Sequence, residues 1–456
     1  MKKLFYIFSV IIFFSACNVL DKQPELQVED AAAITDIVGA NAALAGLYNQ
    51  VQGVYQGRIQ RLADVSGTTA QSVGTWDFYR EMDTYLTNPD NTEILDIWTF
   101  IYRGVNVANN LIASVSNLDA QQSVKDGILG QAYFVRGLMF FDAVRIWGGV
   151  PSVAGTLGIP LPKEPSRSAV QYERASLADS YAQVEADLLQ ALNLLPENNA
   201  AGQATKAAAN ALLSRYCLYV KKYADAERYA NAVINNSRFA LVTPYSDIFS
   251  GRNTTESILE LQFNNADQSS LRFWYVPGAI GGRGELAAHT EFYNQMNANS
   301  SDVRNKLFAF DNVSKFWYPT KYVKAGNIDN AHLIRLAEVI LNRAEARANT
   351  NNFAGARADL NIIRGRANSL ADNTANSTEQ LMLAIERERR FELCYEGHEW
   401  FDLVRMGRAL AVLGSVPRSN SPGSPARLID RNRLVFPIPF QEVNANAKMV
   451  QNEGYR

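Results

Sequence analysis

One helical pattern occurs twice in this chain, 130 residues apart, and it limits the choice of fold more than any other feature. Residues 206–234 align with residues 336–364, and each copy reads as a helix, a turn near Lys222 or Asn352, and a second helix. The aligned pairs include Ala207 with Ala337, Ser214 with Ala344, Tyr223 with Phe353, Ala226 with Ala356 and Asn231 with Asn361. This is the plan of a tetratricopeptide hairpin of about 34 residues. Because such hairpins bury their apolar faces only by stacking, an all-α scaffold of stacked helix pairs is expected.

Apolar residues recur at helical spacing elsewhere in the chain. The helices they predict cover about residues 34–51, 94–115, 128–146 and 177–195. Glycines and a proline at residues 148–151 end the third of these, and four prolines between residues 151 and 165 predict an extended connection. Ser168 with Gln171 has the form of a capping box and predicts the start of the fourth. We therefore expect helical repeats over about residues 92–236 and 331–413.

Two long segments have a different character. Residues 53–91 and 238–330 are rich in Gly, Asn, Ser, Thr and aromatic residues, with little helical period and one strand-like run at residues 258–263. Loops of this length in a compact protein usually carry function. They are predicted to be irregular ligand-binding insertions, so the expected fold has little β-structure.

The N-terminus has the layout of a secretory signal peptide. Lys2 and Lys3 precede an apolar run that ends at Ala16, and thirteen residues from Leu4 are too few to span a membrane, which takes about 20. The sequence FSAC at residues 14–17 looks like a bacterial lipobox, which predicts cleavage after residue 16 and lipidation of Cys17. A plain cleaved signal peptide is the alternative. Residues 17–30 would then form a tether to the membrane surface.

Charge and cysteine content restrict the class of protein. The chain has 44 Lys and Arg against 46 Asp and Glu, so its net charge of −2 gives no reason to expect a nucleic-acid partner. Besides Cys17, only Cys217 and Cys394 are present, too few for a metal cluster or a disulfide framework. Both lie in apolar, helix-like runs and are predicted to be buried free thiols, with one long-range disulfide as the alternative.

No arrangement of side chains predicts catalysis. Glu388, Glu392 and Glu396 share one helix face, but arginines between them indicate an ion-paired structural helix. His398-Glu399 would need a second histidine at position 402, where the chain has Asp402, to form a zinc-peptidase helix. The glycines between residues 278 and 284 match neither a dinucleotide nor a phosphate loop. We therefore expect no enzyme, no metal and no cofactor.

Several blocks together are similar to the SusD/RagB family of outer-membrane nutrient-binding lipoproteins of Bacteroidetes. They are QAYFVRGL at 131–138 with WGGVP at 147–151, RLAEVILNRAEA at 335–346, ERERRFELCYEGHEWFDL at 386–403, and FPIP at 436–439 followed by QNEGY at 451–455. They occur in the family's order and follow a lipoprotein start. The resemblance implies one SusD-like domain over residues 31–456 behind a signal peptide at residues 1–16.

The resemblance also implies a function. Members of this family face the cell exterior on a lipid anchor and pass glycan fragments, or in some members peptides, to a SusC-like TonB-dependent outer-membrane transporter. A peptide-binding member of the family and a structural tetratricopeptide adaptor without a small ligand remain alternatives. The family's signatures belong to the scaffold, so they assign no ligand contact.

Aromatic residues in the two loop-rich segments are the candidate ligand contacts. Sugar rings stack their C–H faces on aromatic planes while amides and charged groups bind their hydroxyls. This composition occurs around residues 75–80, 272–275 and 316–318. The candidates are Trp76, Tyr79, Trp274, Tyr275, Trp317 and Tyr318. At least two of them are predicted to share an exposed concave surface, whereas Trp98 lies on an apolar helix stripe and is predicted to be core.

Overall fold

The computed structural model of the chain describes residues 34–168, 170–372, 374–416, 418 and 427–455. Its α-helices are α1 (Ile37–Tyr55), α2 (Arg58–Ser66), α3 (Asp77–Asp83), α4 (Thr92–Val115), α5 (Gln122–Ala143), α6 (Leu177–Leu194), α7 (Lys206–Tyr219), α8 (Tyr223–Ile234), α9 (Asp247–Ser250), α10 (Thr290–Asn297), α11 (Leu336–Asn349), α12 (Phe353–Arg366), α13 (Thr378–Glu392), α14 (Glu399–Arg405), α15 (Ala409–Leu413) and α16 (Phe440–Ala445). Its strands are β1 (Ala70–Ser72), β2 (Ser257–Leu261), β3 (Leu286–Ala288), β4 (Phe308–Phe310), β5 (Trp317–Pro319) and β6 (Ala331–Arg335). The expected all-α, tetratricopeptide-like class with little β-structure is confirmed.

The repeated pattern folds as two equivalent hairpins, α7–α8 and α11–α12. The residues predicted to lie at the turns, Lys222 and Asn352, are the N-caps of the second helices. Each follows a residue in the left-handed region, with φ of 57° at Lys221 and 63° at Asn351. Helix α8 packs against α11, so the two hairpins stack as expected.

Neighbouring helices extend this stack. Helix α4 packs between α1 and α5, and α5 packs on α6, which leads to α7. A π-helical turn, Val144–Gly148, ends α5 at the predicted glycines. Trp98 of α4 is 3% exposed and contacts Trp147, so its assignment to the core is confirmed.

The strands form three separate antiparallel pairs: β1 with β3, β2 with β6, and β4 with β5. Strand β2 corresponds to the strand-like run at 258–263 and pairs with β6, immediately before α11. The pair β1–β3 joins the two loop-rich segments, because Ala70 faces Ala288 in its register. This pairing brings distant parts of the sequence to one place.

The segment at residues 53–91 contains more helix than predicted. All residues of α2 from Ile59 to Ser66 are buried, including Arg61 and Asp64. Its apolar positions Ile59, Leu62 and Ala63 recur at helical spacing over fewer than two turns, which is too short a stretch for the periodicity of the sequence to identify a helix. The prediction of an irregular segment is wrong for this part of the chain.

The start of α6 also differs from the prediction. Its N-cap is Ser176, whose hydroxyl accepts a hydrogen bond from the Asp179 N–H, and the capping box at Ser168 and Gln171 does not open the helix. Tertiary contacts hold the chain extended before that point. Arg174 donates to the Gly158 carbonyl at 2.8 Å, for example. Long-range bonds of this kind override a local capping signal.

The glutamates of α13 and the turn after it are ion-paired, as predicted, but with other partners. Glu388 pairs with Arg304 at 2.6 Å, and Glu392 and Glu396 pair with Arg335 at 2.5 and 2.7 Å. The arginines that lie between these glutamates in the sequence pair elsewhere: Arg389 with Asp402 and Arg390 with Glu399. Burial opposes ionisation of Glu392, but the surrounding guanidinium groups hold its pKa well below its usual value.

Both described cysteines are free and buried. Burial raises the pKa of the Cys217 thiol to about 12 and that of Cys394 to about 11, so neither is a reactive thiolate at neutral pH. The predicted free thiols are confirmed. The predicted signal peptide, Cys17 and the tether lie outside the described residues. Among the helices that are described, none combines the length and the apolar character of a membrane span.

Candidate functional site

Three aromatic rings from the two loop-rich segments meet at the surface. The Trp76 ring lies 5.2 Å from Phe78 and 5.8 Å from Trp274, and the Phe78 and Trp274 rings are 5.9 Å apart. Trp76 is 37% exposed, while the other two are half-buried. We call these three residues the tryptophan cluster. Two of the six candidate residues therefore lie in ring contact at the surface.

Backbone pairing positions the tryptophan cluster. Beyond β1, the N–H groups of Thr75 and Trp76 donate to Glu285 Oε2, at 2.7 and 3.2 Å. On the other side, Glu285 and Leu286 donate their N–H groups to the Trp274 carbonyl, both at 3.0 Å. Glu285 thus ties the two loop-rich segments together beside β3. The two tryptophans are held by backbone hydrogen bonds as well as by ring packing.

An arginine covers part of the tryptophan cluster. The Arg283 guanidinium lies 4.6 Å from the centre of the Trp76 ring and 3.4 Å from Glu285 Oε1. It is about half exposed, with 43% of its side chain accessible. On the buried side, Arg61 lies 5.7 Å from the Trp274 ring. The surface therefore combines aromatic rings with a charged hydrogen-bond donor.

Tyr79 and Tyr275 do not belong to this surface. They are 1% and 4% exposed, and their hydroxyls donate inward to Glu93 and Asp64. Tyr79 contacts Arg61 and Tyr275 contacts Asp64, and both partners are buried residues of α2. The two tyrosines therefore belong to the core. The expectation that these two tyrosines face a ligand is corrected.

A second aromatic group lies on the β4–β5 hairpin. Trp317 stacks on Tyr293 with ring centroids 4.1 Å apart and planes 15° apart, and Phe310 lies 5.2 Å from Trp317. We call these three residues the hairpin cluster. Tyr318, next in sequence, is half-buried and is not part of it. Strand β5 lies alongside β3, so the two clusters flank the same strand.

A cavity of about 730 Å³ lies along α3. It starts at Asp77, next to Trp76, follows α3 through Arg80 and Thr84, and ends at Tyr455. Its lining mixes charged, hydroxyl and apolar side chains. A ligand longer than one ring could extend from Trp76 into this space.

The described residues contain no group of three or more metal-ligating side chains. His398 is buried, and this burial lowers its pKa to about 3, so it is neutral and inaccessible at physiological pH. Its charged neighbours Glu338 and Asp402 form ion pairs with arginines. The aromatic rings and the Arg283 guanidinium of this surface can contact a ligand by stacking and hydrogen bonding.

Sequence reasoning missed four residues of these surfaces: Phe78, Arg283, Tyr293 and Phe310. Phe78 lies within the predicted stretch at 75–80 but is not one of the six candidates. Arg283 lies in the glycine-rich run at residues 278–284, which matches no binding motif. Tyr293 lies on α10, inside a segment predicted to lack helix. Its stacking on Trp317 depends on the tertiary fold and has no signal in the sequence.

Two family models match this chain. The model described as "SusD family" matches residues 284–455, and the model described as "Starch-binding associating with outer membrane" matches residues 19–218. A SusD-like protein of Bacteroides ovatus is 26% identical over 474 aligned positions, covering 90% of this chain and 83% of the relative.

Solved structures agree with these matches. A SusD superfamily protein of Bacteroides thetaiotaomicron is 25% identical, with a TM-score of 0.81 over 91% of this chain and 99% of its own. A laminarin-binding SusD-like protein has a TM-score of 0.78 over 92% of this chain and 100% of its own. Its 22% identity shows a shared fold alone. With its family blocks, its fold and these matches, the chain belongs to the SusD/RagB family.

Proposed function

We propose that this protein binds nutrient oligosaccharides at the outer membrane and delivers them to a SusC-like TonB-dependent transporter. The tryptophan cluster is the observation that carries the proposal. Trp76 and Trp274 come from separate segments, and they meet where Arg283 supplies hydrogen-bond donors. Rings and charged donors side by side suit the C–H faces and hydroxyls of a sugar.

The surroundings of the tryptophan cluster support an extended ligand. A cavity along α3 is lined from Asp77, the residue after Trp76, and the hairpin cluster lies on the other side of β3. Trp317 and Tyr318 remain proposed contacts at the edge of this area. The family-model description as starch-binding and outer-membrane-associated supports both the ligand class and the location.

A glycan array tests the ligand class. The mature protein starting after Cys17 is applied to neutral, acidic and amino oligosaccharides, with a peptide library as a separate arm. We expect binding to at least one oligosaccharide series. Binding to peptides alone would replace the proposal with the peptide-binding alternative, and binding to neither would favour the structural adaptor.

Lipid anchoring is tested separately. We propose that Cys17 carries the lipid, so Cys17→Ala is expected to move the protein from the membrane fraction to the soluble fraction. Ser15→Ala, which keeps a small residue before the cleavage site, serves as the control and should leave the protein on the membrane. Retention of a cleaved Cys17→Ala protein at the membrane would contradict lipidation.

Delivery to a transporter is tested by co-purification. The tagged, membrane-anchored protein is solubilised in mild detergent and its partners are identified. We expect a TonB-dependent outer-membrane transporter at equal stoichiometry. Its absence from a preparation that retains oligosaccharide binding would contradict the proposed delivery step.

A further inference from the structure

A second concave surface lies on the helical scaffold, and none of its lining residues belongs to the tryptophan or hairpin cluster. It has a volume of about 580 Å³, within the usual range of about 300–1,000 Å³ for small-ligand sites. One face of α4, the extended connection before α6 and the C-terminal segment at α16 form its walls. We call it the scaffold groove.

Hydrogen bonds hold the walls of the scaffold groove in place. The Asn106 side-chain amide donates to the Ser166 carbonyl at 3.1 Å and accepts from the Ser166 N–H at 2.9 Å. The Tyr102 hydroxyl donates to the Pro160 carbonyl at 3.1 Å. Asn446 donates to the Tyr172 carbonyl at 2.7 Å and joins the C-terminal segment to the connection. A groove fixed in this way does not have to be organised by its ligand.

Aromatic residues form part of the lining. Trp98 and Tyr102 lie on α4 with ring centroids 4.5 Å apart, and Tyr172 lies on the connection. Both tyrosines are half-buried, so part of each remains accessible. Tyr102 and Tyr172, with Trp98 packed behind Tyr102, give the scaffold groove an aromatic wall of the kind that the C–H faces of a sugar contact.

Two charged groups in the scaffold groove leave their hydrogen-bonding capacity largely unused. Glu442 is bonded to the Trp98 side chain, and burial raises the pKa of its carboxyl above the usual value. Arg103 is exposed, and among the residues that the structure describes it has no hydrogen-bond or ion-pair partner. Both line the same groove without pairing with each other. The groove therefore offers an acceptor and a donor beside aromatic rings.

A sugar hydroxyl both donates and accepts, so it can use Glu442 and Arg103 together. An ammonium group would suit Glu442 and the rings but would be repelled by Arg103. We propose that the scaffold groove is a second carbohydrate site, which binds a pyranose unit of a neutral oligosaccharide through Glu442, Arg103 and the ring of Tyr102. This inference rests on the proposed function only for the class of ligand, since the residues of the scaffold groove and its place in the fold are distinct from those of the tryptophan cluster.

The test needs a protein in which the tryptophan cluster no longer binds. Trp76→Ala/Trp274→Ala is titrated calorimetrically with maltohexaose, laminarihexaose, cellohexaose, mannohexaose and xylohexaose. We expect this double variant to retain binding of at least one of them. Adding Thr99→Trp, which places a large ring in the scaffold groove, should weaken that residual binding at least tenfold.

Ala113→Trp is the matched control, because Ala113 is exposed on the same helix and outside the groove. It should leave the residual binding unchanged. Glu442→Gln, which keeps the shape of the side chain, provides a second variant with little risk to folding and should also weaken it. Melting temperatures verify that every variant is folded.

Each outcome decides one proposal. Equal residual binding in the Thr99→Trp and Ala113→Trp proteins would overturn the scaffold-groove proposal. A folded Trp76→Ala/Trp274→Ala protein that binds none of the five sugars would overturn it as well. If the double variant binds as tightly as the wild type, the tryptophan cluster is not the main site, and residual binding that is lost with Thr99→Trp would still support the groove.

Discussion

The repeat scaffold and the loop-rich segments use the same residue types in opposite ways. In the scaffold, large rings such as Trp147 and Tyr216 are almost completely buried. In the loop-rich segments, Trp76, Trp274 and Trp317 pack mainly on other rings and remain partly accessible. The difference indicates that Trp147 and Tyr216 stabilise the scaffold, whereas the three tryptophans of the loop-rich segments keep ring surface accessible to a ligand.

The two regions are nevertheless joined by buried charges. Arg304 and Lys321, from the loop-rich segment 238–330, pair with Glu388 and Glu396 of the scaffold at 2.6 and 2.8 Å. Breaking one partner of such a pair leaves an uncompensated charge in the interior. The recognition surface is therefore positioned by ion pairs with the scaffold as well as by apolar packing.

The largest expected effect is at this junction. Glu392 pairs with arginines from both regions, including Arg304 and Arg335. Glu392→Gln should lower the free energy of unfolding by about 3–5 kcal/mol, because several guanidinium groups lose their buried counter-ion. Glu379→Gln, exposed on the same helix, should change it by less than about 0.5 kcal/mol. Urea unfolding measures both, and equal effects would contradict a buried junction.

Acid should weaken the buried ion pairs of Glu338 with Arg215 and of Glu396 with Lys321. Burial opposes ionisation of Glu338 and Glu396, but their cationic neighbours lower each pKa from 4.5 to about 2. The unfolded chain then binds more protons, so this contribution is present above pH 4.5 and is lost as the pH falls from 4.5 towards 2. Unfolding free energies at pH 7 and pH 3 should differ by a few kcal/mol. In a Glu338→Gln protein the free energy of unfolding should change less between pH 7 and pH 3. A change equal to that of the wild type would contradict the assignment of this pH dependence to Glu338.

The hairpin cluster should respond more modestly. Trp317→Ala removes the ring stacked on Tyr293 and should cost roughly 1–3 kcal/mol, because the ring is only half-buried. Val313→Ala in the same hairpin is the control, since Val313 is 87% exposed. Thermal unfolding measures the loss of stability in the Trp317→Ala and Val313→Ala proteins. A loss as large as that of Glu392→Gln would mean that the hairpin belongs to the core.

The smallest effect distinguishes the two repeats from each other. Asn352 caps α12 by accepting a hydrogen bond from the Gly355 N–H at 3.1 Å, whereas the equivalent Lys222 makes no side-chain cap for α8. Asn352→Ala should therefore cost about 1 kcal/mol. Lys222→Ala should cost less, since it loses only the exposed ion pair with Glu185. Equal costs would show that the side-chain cap contributes nothing.

Much of the scaffold could be predicted from the sequence because its signals are local. Helical spacing and two aligned copies located both hairpins, including the turn residues at Lys222 and Asn352. The start of α6 and the partners of Glu392 were predicted incorrectly, because both depend on residues far away in the chain. The local sequence pattern carries no information about such long-range contacts.

The candidate surface was predictable only in part. Aromatic composition pointed to the two loop-rich segments, and Trp76 and Trp274 lie together there. The same reasoning also selected Tyr79 and Tyr275, which are buried, because residue type alone does not distinguish a recognition ring from a core ring. Only the pairing of β1 with β3 decides which rings meet at the surface.

The central claim is that the tryptophan cluster binds oligosaccharide on a scaffold that stays folded when these rings are removed. The most direct measurement is a calorimetric titration of the sugar found on the array against the wild type and Trp76→Ala/Trp274→Ala, with Ile362→Ala, an exposed apolar change on α12, as the control. We predict an affinity loss of at least about tenfold in the double variant, which still unfolds in one cooperative transition although at a lower temperature, and no loss in the control. An unchanged affinity in the double variant would contradict the account.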